Sequence, residues 1–222
     1  MKVAIAVMLA IFVAGCGGPS LTMSVRAGSP AAATATASPS RALVAGTGIE
    51  LTRVRLVIRR VELKKAGTTE MTEVASGPYL LDLSGASLDG NVTKVLDASS
   101  FTPGAYDEIR FELHKADSTD VGVNASLADM IAAQASLIAD GTIDGASFSF
   151  VTAVTAQQSF TGAMPLEDGS NLTLNVDASS WFTVNGTRLD PRNEQNRSQI
   201  ENNIQSSFKA FKDDNHDGQP DP

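Results

Sequence analysis

From Ile49 to Lys65 the chain reads IELTRVRLVIRRVELKK, and its apolar residues alternate with charged ones. Val54, Leu56 and Ile58 fall on one side, and Arg53, Arg55, Val57 and Arg59 on the other. Period two predicts a strand with one buried face. The apolar set then slips by one position to Val61 and Leu63, and a bulge near Arg59-Arg60 would return it to the same face. Leu51, Val54, Ile58 and Val61 also fit helical spacing, but the β-branched content favours the strand.

Shorter runs follow. Residues 79–83 (YLLDL) and 92–96 (VTKVL) read as strands. After the Pro103-Gly104 turn, Ile109, Phe111 and Leu113 face inward, while Arg110, Glu112 and His114 face out. Residues 126–134 (SLADMIAAQ) predict a short helix with Ser126 as N-cap and Asp129 three residues on. Runs 136–143 and 146–155 flank Asp144-Gly145, and runs 181–184 and 187–190 flank Asn185-Gly186. Both dipeptides suit hairpin turns, whose central residues need positive φ. Residues 171–176 (NLTLNV) give another strand.

At the C-terminus, Ile200, Ile204, Phe208 and Phe211 form one apolar stripe at helical spacing. Ser198 and Glu201 match a capping box, and Lys209 and Lys212 suit the end of a helix dipole. The segments NVTKVLDASSF (91–101) and NLTLNVDASSW (171–181) resemble each other. The reading is structural: two strands that end in the same Asp-led turn. About nine short strands separated by turn residues predict a mainly β protein. The expected architecture is an antiparallel β-sandwich, immunoglobulin- or transthyretin-like, with a short inserted helix and a C-terminal amphipathic helix. The sandwich is assigned to residues 49–190 and the packed C-terminal helix to 191–212. An acidic tail occupies 213–222.

The start of the chain has a different character. Lys2 precedes eleven uninterrupted apolar residues, Val3 to Val13. A membrane-spanning helix needs about 20, so this length suits the apolar core of an export signal. The run ends Val13-Ala14-Gly15-Cys16, which resembles the lipobox of bacterial lipoproteins. That resemblance implies a signal peptide over residues 1–15, cleavage after Gly15 and acylation of Cys16. The mature segment 16–48 would then carry the lipid, a candidate first strand at 21–26 (LTMSVR) and an Ala/Ser/Thr/Pro-rich linker. Gly17, where Asp could stand, favours the outer membrane by analogy with enteric bacteria.

Composition narrows the chemistry. Cys16 is the only cysteine, so disulfides and thiolate zinc sites are excluded. The net charge of −8 disfavours nucleic acid as a partner. There is no G-x-S-x-G, P-loop, H-E-x-x-H or G-x-G-x-x-G pattern. Ser206-Ser207-Phe208-Lys209 satisfies S-x-x-K, but the companion motifs are missing.

Three features remain as candidate chemistry. In the tail, Asp213, Asn215, Asp217, Gln219 (through its carbonyl) and Asp221 occupy alternate positions of a calcium loop, with Gly218 at the turn. Alternation of this kind puts oxygen atoms on the inside of a tight coil. The bidentate Glu of an EF-hand is absent, so the match is to shorter D-x-N-x-D-G-x-x-D loops. Arg53, Arg55, Arg59, Arg60, Lys64 and Lys65 could form a surface for anionic glycans or headgroups; a solvated strand face that resists aggregation is the plainer reading. His114, outward on its strand, has no obvious partner.

TRVRLVIRRVEL (52–63), PGAYDEIRFELHK (103–115), GTIDGASFSF (141–150), DASSWF (177–182) and the 200–221 tail together resemble bacterial envelope lipoproteins with a β-sandwich domain of unknown function. The resemblance implies a fold and a compartment, and no catalytic residues. The expected function is a non-catalytic binding or structural module anchored in the cell envelope. It would need no cofactor, with calcium as a candidate ligand. Its partners would be the membrane, through the lipid, and polysaccharide or another envelope protein. Two alternatives stand beside it: a hydrolase built from dispersed residues such as Asp82, Asp107, Glu112 and His114, and a subunit of a surface assembly.

Overall fold

A computed structural model of the chain describes residues 18–28, 42–88, 90–98, 101–122 and 125–221. In chain order the elements begin with β1 (Leu21–Ala27), β2 (Leu43–Gly46), β3 (Ile49–Lys65), β4 (Met71–Ser84), β5 (Thr93–Ala98) and β6 (Gly104–Leu113). Helix α1 (Ala128–Ala132) precedes β7 (Leu137–Ile143), β8 (Ala146–Thr152), β9 (Ala156–Leu166) and β10 (Ser170–Val176). The chain closes with the small hairpin β11 (Thr183–Val184) and β12 (Thr187–Arg188), helix α2 (Arg197–Ser206) and β13 (Phe208–Lys212).

These elements make a β-sandwich. The larger sheet is organised on β3, which pairs with β4 along most of one side. Its other side is shared by two strands in succession: β7 on residues 49–56 and β6 on residues 58–65. Val57 is the fork. Its N–H donates to the Ser136 carbonyl at 2.9 Å, and its carbonyl accepts from His114 N–H at 3.0 Å. From the fork, β7 extends to β8 and β6 extends to β9. The predicted bulge is present, as a register shift between Ile58 and Arg60 against β4.

The second sheet has the order β13-β10-β1-β5. Leu172, Leu174 and Val176 of β10 and Met23 and Val25 of β1 face Val54, Leu56, Ile58, Val61, Ile109 and Phe111 across the core. Burying each such side chain contributes about 1.5–3 kcal/mol. Phe111 sits at the centre of this packing, stacked on Phe160 at 5.7 Å and edge-on to Phe208 at 5.6 Å. Trp181 is fully buried, and its indole N–H donates to Ser207 Oγ at 2.7 Å.

Both predicted hairpin turns are present, with positive φ at Asp144, Gly145, Asn185 and Gly186. The paired segments 91–101 and 171–181 place β5 and β10 on either side of β1, the first antiparallel to it and the second parallel. At the second of the two turns Asp177 caps Ser179, accepting from its backbone N–H and its hydroxyl.

Several expectations are corrected. The segment 21–26 is a strand, as expected, but β1 runs through the middle of the smaller sheet, so the sandwich takes in residues before 49, where it was expected to begin. Its pairing with β10 is parallel, so the sandwich is not wholly antiparallel. The helix placed at 191–212 covers only Arg197–Ser206. Its N-cap is Asn196, not Ser198, and Glu201 instead accepts from Thr152 Oγ1 at 2.8 Å. Phe208, Lys209, Phe211 and Lys212 lie on a strand, because pairing with β10 gives this segment a full hydrogen-bond ladder that a fourth helical turn would forgo. The inserted helix has only five residues, with Leu127 at its N-cap. Strand β9 was not foreseen, and β4 starts eight residues before the predicted Tyr79.

Candidate functional site

The lipobox residues Val13, Ala14, Gly15 and Cys16 lie outside the described residues. No helix among the described residues is long and apolar enough to cross a membrane.

The acidic tail does not hang free. It folds back over the outer face of the smaller sheet, which carries buried polar side chains where a solvent face would be expected: Ser24 and Arg26 on β1, and Asn171, Thr173 and Asn175 on β10. Asp213 is the latch. Its fully buried carboxylate accepts from Thr173 Oγ1 at 2.8 Å, Asp217 N–H at 3.0 Å and Gly218 N–H at 3.1 Å. Its carbonyl accepts from Asn171 Nδ2 at 2.9 Å, and Asn171 Oδ1 accepts from Ser24 Oγ at 2.8 Å. A guanidinium nitrogen of buried Arg26 donates to the Gly218 carbonyl.

Electrostatics at this latch pull in opposite directions. Burial pushes the Asp213 carboxyl up from its ordinary value, against the hydrogen bonds from Thr173 and Gly218. Burial lowers the Arg26 guanidinium, and the charges of Asp213, Asp177 and Asp217 oppose that shift. A buried cation therefore already sits among the tail carboxylates. Gly218 has φ +76°, and a β-carbon there would lie 2.3 Å from an Arg26 nitrogen, so glycine is required by both backbone and space.

The other predicted loop residues are held by local bonds. Asn215 Oδ1 accepts from Asp217 N–H at 3.0 Å, and Asp217 Oδ1 accepts from Gln219 N–H at 2.8 Å. Asp221 accepts from Asp214 N–H at 2.6 Å and donates its own N–H to the Lys212 carbonyl at 2.9 Å. The carboxylates of Asp213, Asp217 and Asp221 do not converge as a triple within 4.8 Å.

The basic row is dispersed into ion pairs. Arg53 pairs with Asp82, which Arg53 holds below the usual carboxylate range. Arg55 is not on a solvent face. It is 9 % exposed under α1 and bridges Asp129 at 3.2 Å and Asp140 at 2.7 Å. Arg60 meets Glu112 at 2.8 Å, and Lys64 meets Asp107 at 3.2 Å and Glu108 at 3.3 Å. With four of its six cations matched in this way and only Arg59 and Lys65 outside ion pairs among the described residues, the row has little left to offer an anionic polymer.

His114 is also not exposed. It lies beside the β3 fork, where Val57, Ala116, Leu127, Met130, Ala135 and Ile138 form a second apolar cluster. His114 Nε2 sits 2.9 Å from Asp120 Oδ2, which also accepts from Asp117 N–H at 2.9 Å. His114, Asp117 and Asp120 are the described residues that bring three metal-capable ligand atoms within 4.8 Å of one another. Asp117 is engaged in capping Thr119, whose hydroxyl and N–H hold its carboxyl low. The arrangement locks the loop after β6 onto the fork. Neither Arg26 nor the His114–Asp120 pair was legible from spacing, since each partner is far away in sequence or lies on an unpredicted turn.

A depression of about 590 Å³ between Tyr106 and Met164 contains Asp107 with its partner Lys64. An interior void of about 20 Å³ between the sheets is lined by apolar groups such as Ile58, Leu96 and Leu174. Asp82, Glu112 and His114 lie in neither.

No family model matches the chain, and no curated protein matches it. Among solved structures it is similar to MbnP from Methylosinus trichosporium, with 9 % sequence identity and a TM-score of 0.38. The match covers 72 % of this chain and 75 % of that one.

Proposed function

We propose that this chain is an envelope lipoprotein whose folded part is a non-catalytic binding module, tethered to a membrane by lipid on Cys16. The observation that carries the non-catalytic reading is the dispersal of Asp82, Asp107, Glu112 and His114. Each is bound to its own partner, Arg53, Lys64, Arg60 and Asp120 respectively. A general acid or base must reach a reacting group in a common site, and here each of these side chains is held by a separate partner instead.

The anchor reading rests on residues 1–16 alone. Each buried lipid methylene adds about 0.8 kcal/mol, so two or more chains on one sulfur hold a domain at a bilayer. Envelope attachment, with the outer membrane favoured, follows from that lipid, as do partners such as polysaccharide or another envelope protein. Mass spectrometry of the natural protein tests it: the expected N-terminus is acylated Cys16, with Val13, Ala14 and Gly15 gone. An intact leader or a free thiol would overturn it.

Calcium at Asp213, Asn215, Asp217, Gln219 and Asp221 is the ligand reading that the residue spacing of the tail supports. Binding would be weak, because Arg26 already places positive charge there. Isothermal titration of the chain from Gly17 onward with millimolar calcium should release or absorb heat, and the signal should vanish in Asp217→Ala. A flat titration of the parent chain would dismiss calcium and leave the anchor reading untouched.

A further inference from the structure

Exposed sheet edges are templates for further pairing, and proteins blunt them with charge, proline or a covering element. Most edges here are managed in that way. The β8 edge is crossed by α2, where Arg197 donates to the Val151 carbonyl at 2.8 Å and Glu201 accepts from Thr152. On β4 stand Glu73, Pro78 and Asp82; on β5, Lys94 and Asp97; on β13, Lys209 and Lys212. The β2 strand is only four residues long.

Strand β9 is different. Its eleven residues pair with β6 and with no other strand among the described residues. It carries no charged residue, and the uncharged run extends from Gly145 to Leu166. Gln157, Ser159 and Thr161 are exposed, while Phe160 and Met164 pack inward. Only Pro165, near its end, removes a donor. A groove of about 170 Å³ separates Phe160–Met164 from Phe211 and Lys212 of β13, so the edge is not filled by the opposite sheet.

We propose that β9 is a self-pairing edge, where two copies of this chain join their larger sheets through antiparallel β9–β9 contact. The occupant is a second copy because of the missing charges. In a two-fold contact each residue meets its own counterpart or a symmetric neighbour. Any Lys, Arg, Asp or Glu near the axis would face a like charge, which destabilises a cross-strand pair. A foreign strand imposes no such condition and could be matched with opposite charge. With Ser159 at the axis, its hydroxyl held by Arg110 Nε of its own sheet at 3.2 Å, Gln157 of one copy lies opposite Thr161 of the other, and these two can exchange neutral hydrogen bonds. The overall charge of −8 opposes approach, so added salt should tighten the dimer by screening.

Sedimentation velocity on the chain from Gly17 onward, which contains every described residue, tests this. The expected result is a concentration-dependent monomer–dimer equilibrium that strengthens with salt. Ser159→Lys and Thr161→Lys should each raise the dissociation constant by at least ~tenfold, and Thr161→Lys, which stands opposite Glu108 of β6, should do so without lowering the melting temperature. Ser149→Lys, on the covered β8 edge, should leave it unchanged. Ser159→Cys, in this form otherwise free of cysteine, should give a disulfide-linked dimer faster than Ser149→Cys. A monomer at every concentration, or a dimer indifferent to both β9 lysines, would overturn the proposal.

Discussion

Replacing Asp213 with alanine should unfasten the tail from the sandwich and cost much of the protein's stability. The carboxylate accepts three hydrogen bonds, from Thr173, Asp217 and Gly218, and it is one of the anions around buried Arg26. A hydrogen bond to a charged group contributes about 1.5–3 kcal/mol, and breaking a buried charge pair from one side costs about 3–5 kcal/mol. Two effects reduce the loss. Asp177 and Asp217 remain near Arg26, and the raised carboxyl shows that burial already penalises the charge. We expect about 3 kcal/mol, from a total that for most domains is about 5–15 kcal/mol. At roughly 2–4 °C per kcal/mol for a chain of this size, the melting temperature should fall by about 6–12 °C.

The sign of the pH dependence follows from the raised carboxyl. Folded Asp213 holds its proton more tightly than unfolded Asp213 does. Stability from this group is therefore fully present below the unfolded value and declines as pH rises through the folded one. The alanine variant lacks that slope, so its deficit relative to the parent should shrink as pH rises from acid toward neutral. Urea unfolding at several pH values measures both quantities. Hydrogen exchange at the Gly218 amide should rise in parallel. A deficit below about 1 kcal/mol, within the range of a surface pair, or one that grows with pH, would refute the latch.

Other outcomes follow from single contacts. Gly141→Ala should leave no stable folded protein by circular dichroism, or cost more than ~3 kcal/mol, because a β-carbon there would sit 2.1 Å from the Glu50 carbonyl oxygen across β3. Asp120→Ala strands buried His114 and the Asp117 amide, so a urea melt should show a loss of about 1–3 kcal/mol, with proteolysis beginning in the loop after β6. Carbon-detected NMR should place the Asp190 carboxyl at about 2, depressed by the Arg192 guanidinium. Its contribution is complete above the unfolded value and fades as pH falls toward 2, and Arg192→Ala should return the titration to the ordinary carboxylate range.

What could be read from the chain alone was whatever local chemistry dictates. Alternation from Ile49 to Lys65 marked β3 and even its bulge, because a slip of one residue reverses which face is apolar. Asp144-Gly145 and Asn185-Gly186 marked their turns, because few residues tolerate positive φ. The proposed leader and lipobox are linear signals and need no fold to be read. Tertiary structure decided the rest. Lys209 to Lys212 fits a helix by spacing, yet β10 offers it a ladder of hydrogen bonds. Strand β9 has weak alternation and is a strand only because β6 lies beside it. Arg26, Arg55 and His114 look like surface residues until α1, the tail and the loop after β6 cover the outer faces of the two sheets. Burial and partner choice depend on residues far away in sequence, and a periodic pattern carries no information about what will be laid over it.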